Sequence, residues 1–326
     1  MHIPNYIELN RLQGAHYAIL ANALRNVLGT DIALLTFAQI VDGLPTSDVA
    51  WDQHGSKHHP DHPVNYHRSL CDGALEKAKE FQANFTLGDV KVDIEKVEQY
   101  QHANPSSRSF GLRLIEMTAC ALHQIGVLLS RMEKLHDPST TNGYDIEGTT
   151  KWERPPDQWP RIAPWPTMFI KTNFIAYEQY PNGIDDIVGY WAENRILGGV
   201  ALFDHSQQWE ADDEPNVYFL CTRANVTFRV CQLLDDQQSA LLAFLLAESK
   251  DAPALYPLPI LPGSQNRKRI DPVDAIPVHK VYRDEWERNP PQPKLRMQRF
   301  MRPRAKNSLD YPEIDVDEEI ERLNRM

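Results

Sequence analysis

The chain has 326 residues, 42% of them hydrophobic and 24% charged, with a formal net charge of −11 at neutral pH. That length and apolar content provide for a sizeable core in one or two domains and exclude an intrinsically disordered chain. The acidic balance disfavours nonspecific binding to nucleic acid or anionic membranes, because displacing phosphate counterions takes clustered cations.

The first residues carry neither a basic region nor an apolar one of the kind that directs secretion. The most apolar segment is uncharged only over residues 117–130, short of the ~20 needed to span a bilayer, so a cytoplasmic location without a membrane partner is expected. Cys71, Cys120, Cys221 and Cys231 stand far apart with no Cys-x-x-Cys pair, which reads as four reduced thiols.

In chain order, Leu9, Leu12, Ile19, Ala23 and Val27 recur at helical offsets and predict a helix that Gly29 closes. Shorter helices are predicted over 31–41, 70–85 and 90–101, then a long one over 107–135 with the stripe Phe110, Leu114, Met117, Ala121, Ile125, Leu128 and Met132. Cys120, Leu122, Val127 and Leu129 fall off that stripe, so the middle is apolar nearly all round, as in the central helix of a bundle. Trp152, Trp159 and Trp165 among closely spaced prolines mark a packed connector that cannot be regular helix. The period then changes. Residues 170–176 alternate and run into a turn at Pro181-Asn182-Gly183, and further strands are predicted over 184–191, 196–203, 216–221 and 226–233. Asp235, with Gln238 three residues on, opens a helix through Leu241, Phe244 and Leu246.

Residues 252–312 hold 11 of the 24 prolines, the composition of an extended arm. The expected fold is therefore α+β: an N-terminal helical bundle (1–138), a small antiparallel sheet with a covering helix (139–262), and an extended Pro-rich C-terminal arm (263–326) that is basic and ends in a short acidic helix.

Five of the twelve histidines fall within residues 54–67. His54, His58, His59 and His62 with Asp61 are the candidate metal ligands, imidazole and carboxylate being suited to zinc or iron, and Pro60 and Pro63 stiffen the loop that presents them. Lys57-His58-His59-Pro60-Asp61-His62 resembles the His-x-His-x-Asp-His motif of the metallo-β-lactamase fold, with Lys57 in the place of its first histidine and no preceding strand. The plainer reading is a polar surface loop. Asp185 and Asp186 beside Tyr190 and Trp191 have the residue types of an acid/base pair, but read more simply as turn and sheet residues. Gly198-Gly199 suits a bulge or a close backbone approach. His123, on the apolar helix beside Cys120, is a ligand or base in a bundle cavity, or a satisfied core histidine.

Phosphate-loop, dinucleotide-binding, nucleophile-elbow and His-Glu-x-x-His patterns are all absent from the sequence. Residues 264–306 hold 12 Lys and Arg against 5 Asp and Glu, whereas 139–262 holds 8 basic and 17 acidic groups. The arm is thus expected to lie against the acidic middle piece, and nucleic acid is not expected as a partner.

Residues 180–204, from Tyr180-Pro-Asn-Gly to Leu-Phe-Asp204, together with 225–238, resemble segments of uncharacterised proteins of filamentous fungi. Because such proteins are often encoded beside secondary-metabolite genes, the resemblance implies an accessory role in that setting and carries no catalytic residues. Two readings of function follow. One is an accessory, noncatalytic protein acting through a protein partner or a small-molecule ligand; the other is a metal-dependent enzyme using the His54–His67 loop.

Overall fold

Two short strands, β1 (Tyr6–Glu8) and β2 (Lys91–Asp93), pair antiparallel with Ile7 opposite Val92. In the computed structural model, which describes residues 5–53, 59–139, 144–153, 164–206, 216–248, 251, 255–288, 308–314 and 321, this ribbon lies beside a helical bundle. The bundle comprises α1 (Gly14–Leu28), α2 (Asp31–Asp42), α3 (Ser47–Ala50), α4 (Ala74–Asn84), α5 (Ile94–His102) and α6 (Arg108–Ser130). Hydroxyl side chains cap two of these helices. Thr30 Oγ1 accepts from Ala33 N at 3.3 Å at the head of α2, and Ser107 Oγ accepts from Phe110 N at 3.1 Å at the head of α6. Helix α6 is long and apolar enough, by length and composition, to cross a membrane, yet it is mostly buried within the molecule.

Beyond α6 come α7 (Ile146–Thr150) and α8 (Ile184–Leu197), then β3 (Val200–Asp204), β4 (Val217–Leu220), β5 (Val230–Gln232), α9 (Asp235–Leu246), β6 (Arg269–Ile270), α10 (Pro272–Ala275) and β7 (Val281–Tyr282). The second sheet is antiparallel throughout, in the order β6-β5-β4-β3-β7, with Ala201 opposite Phe219 and Phe219 opposite Cys231. This is the α+β arrangement read from the sequence. Both faces of the sheet are covered. Ala201, Phe203, Val217 and Phe219 join the main core with the bundle and α9, while Val200, Leu202, Tyr218 and Leu220 join a second cluster with Phe174, Tyr190 and Ile270. Two covered faces explain why β3 and β4 are apolar without interruption.

Three expectations are corrected. Residues 184–191, expected as a strand, are the body of α8. This helix is buried from Asp186 to Asn194 and again at Ile196 and Leu197, and a helix buried all round has no polar stripe from which to read a 3.6-residue period. Residues 170–176 form turns instead of a strand, and Pro181-Asn182-Gly183 leads into α8 instead of a hairpin. Gly198 and Gly199 do serve a close backbone approach. Gly198 caps α8 with φ of +106°, and a Cβ there would stand 2.1 Å from the Ile260 carbonyl oxygen.

The principal helix pair is α6 against α8, and glycine sets its spacing. A Cβ on Gly126 would lie 2.9 Å from the Gly189 Cα, and one on Gly189 would lie 2.7 Å from the His123 carbonyl oxygen, so the backbones touch where those two residues cross.

Of the segment expected as an arm, β6 and β7 form the two edges of the sheet. Its contacts have both polarities. Arg283 reaches the buried Glu193 of α8 at 2.7 Å, whereas Asp310 accepts from Thr227 Oγ1 at 2.9 Å and Glu313 pairs with Arg229 at 2.5 Å. Arg296, Arg299, Arg302 and Arg304 lie outside the described residues.

Candidate metal centre

Asp42 is the last residue of α2, where Gly43, at φ of +108°, turns the chain away. The segment leaving α6 runs back across that helix end: Leu135 N donates to Val41 O at 3.2 Å and His136 N to Asp42 O at 2.8 Å. Backbone bonds to the free carbonyls of α2 thereby fix His136 beside Asp42. A 3-10 turn, Pro63–Tyr66, presents His67, whose own N–H donates to Val64 O at 3.1 Å and whose carbonyl accepts from Ser47 N at 2.7 Å. Cys71 follows, ahead of α4.

The ligand atoms of Asp42, His67, Cys71 and His136 all lie within 4.8 Å of one another, a set that can hold a metal ion. Cys71 Sγ and His136 Nδ1 are 3.6 Å apart, close to the roughly 3.5 Å that tetrahedral zinc with ordinary Zn–S and Zn–N bonds would require. His136 Nε2 lies 3.3 Å from the Tyr144 carbonyl oxygen. A carbonyl only accepts, so the ring proton sits on Nε2 and Nδ1 is left as the lone pair facing the sulfur; outer bonds of this kind orient metal-binding histidines.

Asp42 and His67 are 0% and 2% exposed at their side chains, and His67 Nε2 is 2.8 Å from Asp42 Oδ2. The contact is short but lacks hydrogen-bond alignment: among the described residues, neither carboxylate oxygen and neither ring nitrogen has a hydrogen-bond partner. Buried polar atoms are nearly always paired. A buried carboxylate at the negative end of a helix dipole also calls for a cation. Lys134 is engaged elsewhere, donating to Ile40 O at 3.2 Å and Leu129 O at 2.9 Å. Two ligands turned toward a shared ion would account for the missing alignment; tetrahedral zinc would set this nitrogen and oxygen about 3.3 Å apart, so the pair would open slightly on binding.

The five residues singled out in the sequence fare differently. His54 and His58 lie outside the described residues. Asp61 is exposed, whereas His59 and His62 are buried, their rings within 6.0 Å of Trp51 and 5.9 Å of Trp152. Burial, with His59 nearby, lowers the His62 pKa to about 4. Its Nδ1 accepts from Val64 N at 3.1 Å. Among the described residues, none of these joins the four-residue group. His67, the last histidine of the same segment, does. The signal for it was the spacing His67-x-x-x-Cys71; nothing local pointed to Asp42 or His136.

No family model, no curated protein and no solved structure matches the chain.

Proposed function

We propose that this chain is a zinc-binding protein in which the ion is structural, held by Asp42, His67, Cys71 and His136, and that its role is accessory and noncatalytic. The observation that carries the reading is the buried Asp42–His67 pair, whose four polar atoms have no hydrogen-bond partner among the described residues although one oxygen and one nitrogen stand 2.8 Å apart. One thiolate, two imidazoles and one carboxylate suit zinc better than magnesium or calcium, which prefer all-oxygen sets. Four protein ligands fill a tetrahedron, the closed arrangement of structural sites; catalytic zinc keeps a position for water.

The setting supports a structural role. Residues 43–53 and 59–73 contain only α3 and one 3-10 turn as helix, and a small separate apolar cluster of Leu44, Ala50, Val64 and Met168 lies beneath them. An ion joining the end of α2, the turn before α4 and the exit of α6 supplies the cross-link that this thin cluster does not. Elemental analysis of the purified full chain tests the reading. One equivalent of zinc is expected in the wild type and none in the Cys71→Ser/His136→Ala variant. A wild type that is metal-free as isolated and takes up no zinc or cobalt on titration refutes it.

A further inference from the structure

Residues 308–314, Ser-Leu-Asp-Tyr-Pro-Glu-Ile, lie against β6 and the turn that leads into β5. None of them joins an apolar cluster of the described residues, so the segment is held by polar and ring contacts alone. Asp310 is its anchor, 3% exposed, with Oδ1 accepting from Thr227 Oγ1 at 2.9 Å and from Phe228 N at 3.3 Å. The Asp310 carbonyl oxygen accepts from Arg229 Nη1 at 3.2 Å, and that of Leu309 from Arg269 Nη1 at 2.5 Å.

The next three residues all bear on one arginine. The Arg229 guanidinium carbon stands 4.4 Å from the centre of the Tyr311 ring, a cation–π contact. Pro312 takes the second position of a turn that Ile314 N closes by donating to Tyr311 O at 3.1 Å, a place suited to the fixed φ of proline. The turn brings Glu313 back to Arg229, whose Nη1 donates to Oε1 at 2.5 Å. Anchor, stack, turn and second carboxylate thus fall on four consecutive residues.

The body of the protein positions both arginines by itself. Arg229 Nη2 donates to Arg269 O at 2.8 Å, and its Nε stands 3.4 Å from Asp271 Oδ1; Arg269 donates from Nε to Asn266 O at 2.8 Å and from Nη2 to Gly263 O at 2.6 Å. Guanidinium groups oriented in advance lower the ordering cost of binding. We infer that this surface is a recognition groove for acidic peptides of the pattern Asp-Tyr-Pro-Glu, that the chain fills it with its own residues 308–314, and that a partner protein bearing such a stretch binds by displacing them. In all five hydrogen bonds across the groove the body donates, so an occupant must bring acceptors, and a planar guanidinium can take a carbonyl, a carboxylate and a ring together. The rival is a fixed strap that only completes the fold.

The probe is a synthetic peptide of residues 308–314, blocked at both ends and labelled for fluorescence anisotropy. It is titrated against the full chain carrying Asp310→Ala and Glu313→Ala, which loosen the chain's own segment and leave the groove unaltered. Saturable binding is expected, weaker by about tenfold or more when the peptide itself carries Asp310→Ala or Glu313→Ala. Wild type should also bind about tenfold or more less tightly, because its tethered segment competes at an effective concentration on the order of millimolar. The idea is overturned if the peptide does not saturate the variant, if a scrambled peptide of the same composition binds as tightly, or if wild type and variant bind alike. A second measurement needs no variant to fold: in ¹⁵N-labelled wild type, the Ile314 amide signal should move as unlabelled peptide reaches millimolar concentration, and a signal that stays fixed there means a fixed strap.

Discussion

Lys171 gives the most direct test of the interior electrostatics. It is 0% exposed, and its ammonium donates to Leu220 O and Thr222 Oγ1, each at 2.7 Å. Burial lowers its pKa from the ordinary 10.5 to about 7, with the nearby Cys221 and Glu193 opposing only in part. Between pH 7 and 10.5 the unfolded chain therefore holds a proton that the folded chain has released, so stability rises with pH. Below pH 7 both states are protonated and the folded state carries the full penalty of a buried charge. The slope has a ceiling of about 1.4 kcal/mol per pH unit for one group, so from pH 7 to 8.5 the gain is on the order of 1–2 kcal/mol. Lys134, lowered to about 8 by burial, acts in the same direction. Cys120 and Cys231, raised to about 12, oppose it as the unfolded thiols begin to ionise near pH 9. Lys171→Met isolates the effect, because those other groups cancel in the difference between the two proteins. Urea unfolding at pH 7.0, 7.75 and 8.5 should show the wild type gaining on the variant by on the order of 1–2 kcal/mol across that range. Parallel curves would refute the buried, depressed lysine.

Gly189→Ala should destabilise by about 2 kcal/mol or more despite the better helix propensity of alanine, because its Cβ would meet the His123 carbonyl oxygen at 2.7 Å; urea midpoints measure it, and a neutral result would mean that the α6–α8 crossing relaxes freely. Removing metal with a chelator should lower the melting temperature of the wild type, since an ion present at about 1,000 times its dissociation constant contributes roughly 4 kcal/mol, and should leave the Cys71→Ser/His136→Ala variant unmoved in a thermal scan. Asp310→Ala removes the acceptor for Thr227 Oγ1 and Phe228 N and should release residues 308–314 from the sheet, at a cost of about 1–3 kcal/mol; faster limited proteolysis in that segment is the readout.

The sequence was most legible where one face of an element meets solvent or a standard cap marks its start. Helices α1 and α6 followed from apolar spacing, with Gly29 at the end of α1. Strands β4 and β5 followed from short apolar runs. Helix α8 was illegible because its polar residues are buried as well: Asp186 serves His123, and Glu193 serves Arg283 and the Ala201 amide. Its charges sit at the positions that would otherwise mark a solvent face, which cancels the periodic signal. The candidate metal centre was half legible for a related reason. A crowd of histidines drew attention to residues 54–67, yet His59 and His62 pack against tryptophan, and the ligands that join His67 come from the end of one helix and the exit of another. Only the tertiary bonds from Leu135 and His136 to the carbonyls of α2 bring those together.

Hydrogen-bond satisfaction also separates functional polar groups from structural ones. The interior holds many charged side chains, and most have matched partners, as in Arg283 with Glu193, Arg288 with Glu287 and Lys96 with Asp284. Among the described residues the buried atoms without hydrogen-bond partners include His123 Nδ1 and Asp271 Oδ1, the latter 3.4 Å from Arg229 Nε, and otherwise fall into three groups. Arg195, Arg223 and Arg229 each leave Nε unbonded, but all three are held through their terminal nitrogens, to Asp52, to the Arg195 carbonyl, and to Glu313 and the carbonyl oxygens of Asp310 and Arg269. Thr118 and Asn194 lack a partner at one neutral oxygen, a modest penalty. Asp42 and His67 differ in kind, because every ionisable atom of both side chains is buried and unbonded while the two groups touch. No rearrangement of neutral hydrogen bonds within the pair satisfies all four atoms at once, since a single shared proton serves one oxygen and one nitrogen. A cation between them, completed by Cys71 and His136, would likewise engage one oxygen and one nitrogen, but it would also offset the buried negative charge, and that is the support the pair gives to the proposed metal centre.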